Sequence, residues 1–503
     1  MKAAKKLPWI ILAILALAAF LRLYNLGNES LWLDEAVNVL LCKEGPGSVI
    51  DVCVDDGVHP PFYFLLLNLW ILIFGQSEVA IRLLSALLGI IAVFLTYKVG
   101  CEVFNRRVGL IASLFLAISS FAVYYSQEVL PYSMLLVLTL LSFILFLRVL
   151  RAEKPQKTHF LFYALVNVLL CYTHLFGVFT VGAQVLYYLF YRRRYAKARR
   201  VFWGTQAVTL AVFSPWIYVL VTNGILGDTA GGLAWIPEPS FSVINSITRA
   251  LTGAGFIEKA WGAFLMWFFL SLCLAGVFYF PKALQWRGSG EEVQNTGKPP
   301  LASLFAGPMI VLVLLWLLFP FFLSLILSFA YKPMMVDRYL IGVIPALCLL
   351  AACGIENVAS FIGVGGLRAK VTAVMLIAIV AAVSLVGLHS YYVDYHKLDW
   401  RAATAFIEQD AQPGDAIVFY PDYEHWPFDY YYEGEHELAV ISYKEILEDE
   451  GAAAVNERLW LVQLPASANR DINVQRELYY RFGDEALIRR GIFEPLVVYL
   501  FDI

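Results

Sequence analysis

The run His59-Pro60-Pro61-Phe62-Tyr63-Phe64-Leu65-Leu66-Leu67-Asn68-Leu69-Trp70-Ile71-Leu72-Ile73-Phe74 decides how this chain is threaded. It is apolar almost throughout, yet short for a bilayer crossing, which takes roughly 20 residues. Around it, apolar runs of spanning length recur at residues 7–23, 79–99, 108–124, 132–150, 159–176, 177–191, 201–221, 261–280, 303–330, 339–357 and 371–389, about eleven in all. If 62–74 lies along the surface, the basic clusters Lys2/Lys5/Lys6, Lys98/Arg106/Arg107, Arg148/Arg151/Lys154/Lys157, 192–200, Lys282/Arg287/Lys298 and Arg368/Lys370 all fall on one side. Excess Lys and Arg marks that side as cytoplasmic. If the run crosses, every cluster after the first flips outward. The run is therefore read as an interfacial helix anchored by Tyr63 and Trp70, with the N-terminus cytoplasmic and everything after His389 extracytoplasmic.

Composition agrees with a polytopic membrane chain. Of 503 residues, 60% are apolar and 15% charged, with mean hydropathy +0.68, whereas soluble domains carry about a quarter charged residues. The net charge of -3 constrains little, and nucleic acid is not an expected partner. Lys2, Lys5 and Lys6 before an apolar run imitate a cleavable signal peptide. They are read as flanking an uncleaved anchor, because cleavage would leave the polar loop that follows on a loose end. Of the seven cysteines, five lie in or beside apolar runs, where Cys behaves as a small hydrophobe. Cys42 and Cys53 share the first polar loop; free thiols are the default there, with a disulfide open if the loop faces an oxidising compartment.

The expected architecture is an α-helical transmembrane domain over 1–389, with juxtamembrane helices in the first outer loop, followed by a small soluble α/β domain over 390–503. In the latter, strand-like runs at 416–420, 438–442, 459–464 and 496–501 alternate with helix-like stretches at 400–409, 443–448 and 474–482, which suggests a partly parallel sheet. Residues 285–300 read as a flexible inner linker, and there are no internal repeats.

Polar side chains collect in the outer segments. Leu31-Trp32-Leu33-Asp34-Glu35-Ala36 follows the first span. Asp34 can serve as a helix N-cap with Glu35 in the first turn; a catalytic role is compatible with that. His59 places a titratable ring on the same loop, although it can simply precede a proline-started helix. Ser126-Gln127-Glu128 puts an amide and an acid at the outer junction of two spans, and an acid near a bilayer is costly enough to be a functional candidate. Asp337-Arg338-Tyr339 opens a later span, and a guanidinium there suits phosphate. Snorkelling to headgroups is the alternative for Arg338, and the same doubt attaches to Arg82 and His174.

These pieces together resemble the GT-C class of polyprenyl-phosphate-sugar-dependent glycosyltransferases, the superfamily of protein O-mannosyltransferases and lipid A aminoarabinose transferases. The resemblance rests on the Asp34-Glu35 loop, His59-Pro60-Pro61, Arg82-Leu83-Leu84-Ser85-Ala86-Leu87-Leu88-Gly89, Tyr125-Ser126-Gln127-Glu128 with Pro131-Tyr132, and Asp337-Arg338-Tyr339-Leu340 with Pro345. It implies a GT-C fold, a polyprenyl-phosphate sugar donor, a lipid, glycan or protein acceptor, and an acidic base in the first outer loop, which falls on Asp34. The family often has Arg before the Pro-Tyr or Met-Tyr pair; here Leu130 stands there, which shifts donor-phosphate binding toward Arg338. Some relatives hold a divalent metal near this loop, but no ligand set in this sequence has a spacing that demands one, so no cofactor is certain.

The chemistry fits one base and some cations. The donor phosphate is already a good leaving group, so only the acceptor hydroxyl needs a base, unlike the paired carboxyls of glycoside hydrolases. Asp34, with Glu35 beside it, would direct a single inverting displacement. Arg338 or a metal would take the phosphate charge. Trp32, His59, Arg82, Gln127, Glu128, Tyr132, His174 and Tyr339 complete the expected substrate-binding set. Two rivals remain at this level: a transporter or flippase of a lipid-linked sugar, and a non-catalytic envelope assembly protein.

Overall fold

The structure is a computed structural model and describes residues 9–225, 235–278, 307–362, 366–448, 458–464, 474–493 and 495–502. The N-terminal lysines, the cluster Lys282/Arg287/Lys298 and the linker 285–300 lie outside the described residues. The first sixteen helices are α1 (Trp9–Leu23), α2 (Leu33–Lys43), α3 (Pro46–Asp56), α4 (Phe62–Phe74), α5 (Glu78–Val103), α6 (Arg106–Ile118), α7 (Ser120–Tyr124), α8 (Tyr132–Arg151), α9 (Lys157–Thr173), α10 (Phe176–Tyr191), α11 (Arg199–Val219), α12 (Phe241–Leu251), α13 (Lys259–Phe278), α14 (Pro308–Ala330), α15 (Ile344–Ile362) and α16 (Leu367–His389). The chain is an integral membrane protein.

Among the described residues, seven helices are long and apolar enough to cross a bilayer, against the eleven or so runs read from hydropathy. The difference has local causes. The run 108–124 is broken at Ser119, whose backbone leaves the helix (φ -66, ψ 113) and whose side chain caps α7 by accepting from the Ala122 N–H. The runs 159–176 and 177–191 become the 17-residue α9 and the 16-residue α10, separated by an extended His174 (φ -163, ψ 143). At 13 residues, α4 is about 20 Å long, short of the roughly 30 Å hydrocarbon core.

Contacts divide the chain into two compact units. The first comprises residues 1–24, 45–73 and 82–395. Its centre is α8 and α15, which are buried nearly all round. Backbone approach brings α15 onto α13: a Cβ on Gly354 would strike the Leu272 carbonyl, and one on Gly276 would strike that of Leu350, the small-residue packing that membrane helices favour. Buried polar bonds also tie helices here. Tyr163 donates to Gln184 Oε1 (2.6 Å), Gln184 Nε2 donates to Ser142 Oγ (2.8 Å), and Ser142 donates to Asn167 Oδ1 (2.7 Å).

The second unit gathers residues 25–44, 74–81 and 396–503. Its remaining helices are α17 (Trp400–Glu408), α18 (His425–Tyr431), α19 (Tyr443–Glu448) and α20 (Val474–Phe482), and its strands are β1 (Ala416–Tyr420), β2 (Ala439–Ser442), β3 (Arg458–Gln463), β4 (Leu487–Phe493) and β5 (Leu496–Asp502). The sheet order is β2-β1-β3-β5-β4. β1 runs parallel to β2 and β3, while β5 is antiparallel to β3 and β4. Trp400, Phe419 and Trp460 fill one face and Leu459, Leu461 and Phe501 the other. Two elements escaped the sequence reading. β4 is an irregular edge strand whose Arg489 and Arg490 dilute its apolar pattern, and α18 carries Pro427 in its first turn, where proline is tolerated.

Cys42 and Cys53 are both buried, and the structure joins neither of them in a disulfide. Burial, with the charge of Asp56 adding to it, pushes the Cys53 thiol up to about 12.

Candidate active site

In the second unit, α2 starts earlier than the sequence reading allowed, at Leu33. Its N-cap is Trp32, in extended conformation, whose carbonyl accepts from the Glu35 and Ala36 N–H groups at 3.0 Å each. Asp34 is therefore not the cap. It lies inside the first turn, where the helix dipole favours a carboxylate, and is half-buried. Glu35 is fully enclosed, and Lys397 Nζ donates to its Oε2 at 2.8 Å; the two side chains are 0% and 6% exposed. Pairing is what makes such burial tolerable.

The loop before Asp34 is fastened by the same tail segment. Ser30 donates to Asp399 Oδ1 (3.1 Å), and the Lys397 N–H donates to Glu29 Oε2 (2.9 Å). Tyr431 accepts from the Leu31 N–H (2.8 Å) and donates to Glu78. Arg401 Nη2 reaches both oxygens of Glu78 at 2.6 Å. α18 packs on α2. Glu424, just before α18, has its carboxyl pushed up to about 7, first by burial and then by the negative charge of Asp34. None of Lys397, Glu29, Asp399 or Glu424 was flagged by sequence, since no local pattern links residues 362 positions apart.

The other expected residues belong to the first unit. His59 Nδ1 lies 2.8 Å from Asp56 Oδ2, which also accepts from the Val58 and His59 N–H groups. Burial works against ionisation of Asp56, but His59 and those backbone donors outweigh it and hold the carboxyl below its ordinary range. Tyr132, His174 and Tyr339 form an aromatic cluster, with ring centroids 4.9 Å apart for His174–Tyr339 and 5.9 Å for Tyr132–His174. The Arg338 guanidinium lies over Trp235 at 4.8 Å and over Tyr339 at 5.9 Å, cation–π contacts that help to hold its planar fork in place. Trp235 is not among the residues expected from the sequence. Asp337 is pushed above the ordinary carboxylate range by burial, despite the pull of Arg338.

Gln127 is occupied as a tie. Its Nε2 donates to the Arg22 and Tyr24 carbonyls (3.1 and 2.8 Å), and its Oε1 accepts from Tyr391 (2.6 Å). Neighbouring Ser126 accepts from the buried Arg22 Nε at 3.2 Å. Gly89 makes room for that bond, because a Cβ there would run into Ser126 and Arg22. Glu128 and Arg82 are both buried, and their opposite charges converge on Tyr391. Among the described residues, no three His, Cys, Asp or Glu side chains come together in a way that would hold a metal ion.

The comparisons with known proteins bear on this arrangement. The family model for dolichyl-phosphate-mannose-protein mannosyltransferase matches residues 58–219, from the His59 loop to the end of α11. No curated protein matches the chain. ArnT from Cupriavidus metallidurans in the apo state superposes with a TM-score of 0.60 at 15% identity, covering 98% of this chain and 97% of that one. This is the GT-C glycosyltransferase fold. ArnT bound to undecaprenyl phosphate matches the same GT-C frame with a TM-score of 0.57 at 15% identity, over 99% and 98% of the two chains. The Archaeoglobus fulgidus oligosaccharyltransferase in complex with Zn and sulfate gives 0.56 at 12% identity, over 90% of this chain and 67% of that one. The GT-C resemblance carried by the sequence motifs thus holds along the chain.

Proposed function

We propose that this GT-C protein transfers one sugar from a polyprenyl-phosphate donor to a lipid, glycan or protein acceptor on the extracytoplasmic face. The observation that carries the reading is Asp34, a half-buried carboxylate in the first turn of α2, flanked by a buried, charge-paired neighbour. Asp34 takes the proton from the acceptor hydroxyl. That oxygen bonds to the anomeric carbon from the face opposite the phosphate, and the bond from that carbon to the phosphate oxygen breaks, with its electron pair leaving on the phosphate. The configuration inverts. Arg338, packed against Trp235 and Tyr339, takes up the charge on the leaving group. Glu35 positions Asp34 and does not itself take the proton, and Gln127 holds α1 in place. His59, Arg82, Glu128, Tyr132, His174 and Tyr339 serve the donor.

The phosphate role has its own test. In Arg338→Gln, affinity for a short-chain polyprenyl phosphate, measured by titration calorimetry in detergent, is expected to fall roughly 10- to 100-fold, the worth of a charge-assisted hydrogen bond. Arg338→Lys should recover only part of it, because an ammonium lacks the fork. Undiminished affinity in the Gln variant would remove Arg338 from the mechanism.

The threading is tested separately. A reporter fused after Arg200 is expected to read cytoplasm and one fused after Asp399 the outside; the reverse pattern would mean that α4 crosses the membrane.

A further inference from the structure

The second unit contains a cleft of about 400 Å³ at the carboxyl ends of β1 and β2, lined by Asp422, Tyr423, His425, Trp426, Val440 and Ser442 among others. Its place and size are those of a ligand site. Crevices beyond the carboxyl ends of parallel strands are where open α/β sheets bind ligands, and small-molecule sites run from roughly 300 to 1,000 Å³. β1 has parallel neighbours on both sides, and the cleft lies on its β2 side, between the end of β1, the segment that follows it and β2.

The lining has two kinds of surface. Tyr423 and Trp426 present large exposed aromatic areas, 55% and 36% accessible, with the His425 ring 4.6 Å from that of Trp426. Against these stands a fixed set of polar groups. Asp422 is clamped by Ser442 Oγ, which donates to Oδ2 at 2.8 Å, and by the Tyr443 N–H, which donates to Oδ1 at 3.0 Å. His425 Nδ1 lies 2.6 Å from Asp429 Oδ2, which leaves Nε2 as its other polar edge. Flat apolar faces beside rigid acceptors suit a molecule with a C–H face and a rim of hydroxyl donors. A sugar ring has that form. No Lys or Arg is among the described residues that line the cleft, and Asp422 disfavours phosphates and other anions.

We propose that this cleft seats a neutral saccharide ring of the acceptor glycan. That it is the acceptor's ring rests on the transferase reading above. The link is local: the cleft's Tyr423 and His425 flank Glu424, whose carboxyl feels Asp34, and α18 packs on the helix that carries Asp34.

The test uses the full-length protein in detergent with no donor present, so its outcome does not depend on turnover. Ligand-observed saturation-transfer NMR with methyl glucoside, methyl galactoside and methyl mannoside is expected to show saturation of ring C–H protons for at least one of them. Affinity for that glycoside should drop about tenfold in Trp426→Ala and in Asp422→Asn, persist in Trp426→Phe, and be unaffected by inorganic phosphate. The proposal is overturned if none of the glycosides binds at millimolar concentration, if Trp426→Ala binds as the parent does, or if phosphate competes. Each of these results leaves the transferase reading standing, since polyprenyl-phosphate binding and transfer are measured independently.

Discussion

Asp34→Asn is expected to lower sugar transfer by about 10²- to 10⁴-fold, the contribution of a positioned general base, while polyprenyl-phosphate affinity stays unchanged. Asn keeps the size of the side chain and its place in the first turn of α2, so lost transfer reports lost proton acceptance and not a lost helix. Initial rates with a radiolabelled donor check the size of the effect, and parental rates in the folded variant would sink the mechanism. Glu424 supplies a second readout in the same protein. Its carboxyl is raised from an ordinary 4.5 to about 7 by burial and by the charge of Asp34. Below pH 4.5 it is protonated in both folded and unfolded chains and has no effect. As pH rises from 4.5 to 7 the unfolded chain ionises first, so the fold loses stability across that window. Glu424→Gln should therefore raise the melting temperature relative to the parent at pH 8 but not at pH 4.5. Asp34→Asn removes one of the two causes and should move the inflection to lower pH. An inflection that does not move would show that the two carboxyls do not interact.

Lys397→Met is expected to destabilise the second unit by about 3–5 kcal/mol, because it leaves the wholly enclosed Glu35 charge without its ammonium. The double variant Glu35→Gln/Lys397→Met removes both charges and should recover most of that loss, since apolar or neutral replacements of a buried pair are often nearly neutral. Thermal unfolding followed by circular dichroism separates the cases. A single variant as stable as the parent would mean that Glu35 is protonated or well hydrated, and would withdraw its positioning role.

How far the sequence could be read follows from the range of the forces involved. The strands at 416–420 and 496–501 were legible as short, nearly continuous apolar runs, and the helix at 400–409 because its buried residues recur at helical spacing. Asp34 stood out because acids are rare beside apolar spans, and the short 62–74 run was read as interfacial from the side on which the basic clusters then fall. The partners of the Asp34-Glu35 pair could not be found that way. Lys397 and Glu424 are ordinary charged residues in a soluble tail, and only the folded chain brings them to the first loop. Gln127 illustrates the converse: a polar side chain at a functional-looking junction proved to be fully engaged with the Arg22 and Tyr24 carbonyls and with Tyr391. Hydropathy also could not see the serine cap or the extended histidine inside an apolar run, which set where helices end.

The fastening of residues 29–35 by Lys397, Asp399 and Tyr431 sets an order of assembly. Chains emerge from the ribosome N-terminus first, so the Asp34 loop is made well before Lys397, Asp399 and Tyr431, which hold it. Until that later segment is made, a nascent chain carries its proposed base without these ties. On the transferase reading, activity waits for the synthesis and docking of the segment from Lys397 to Tyr431.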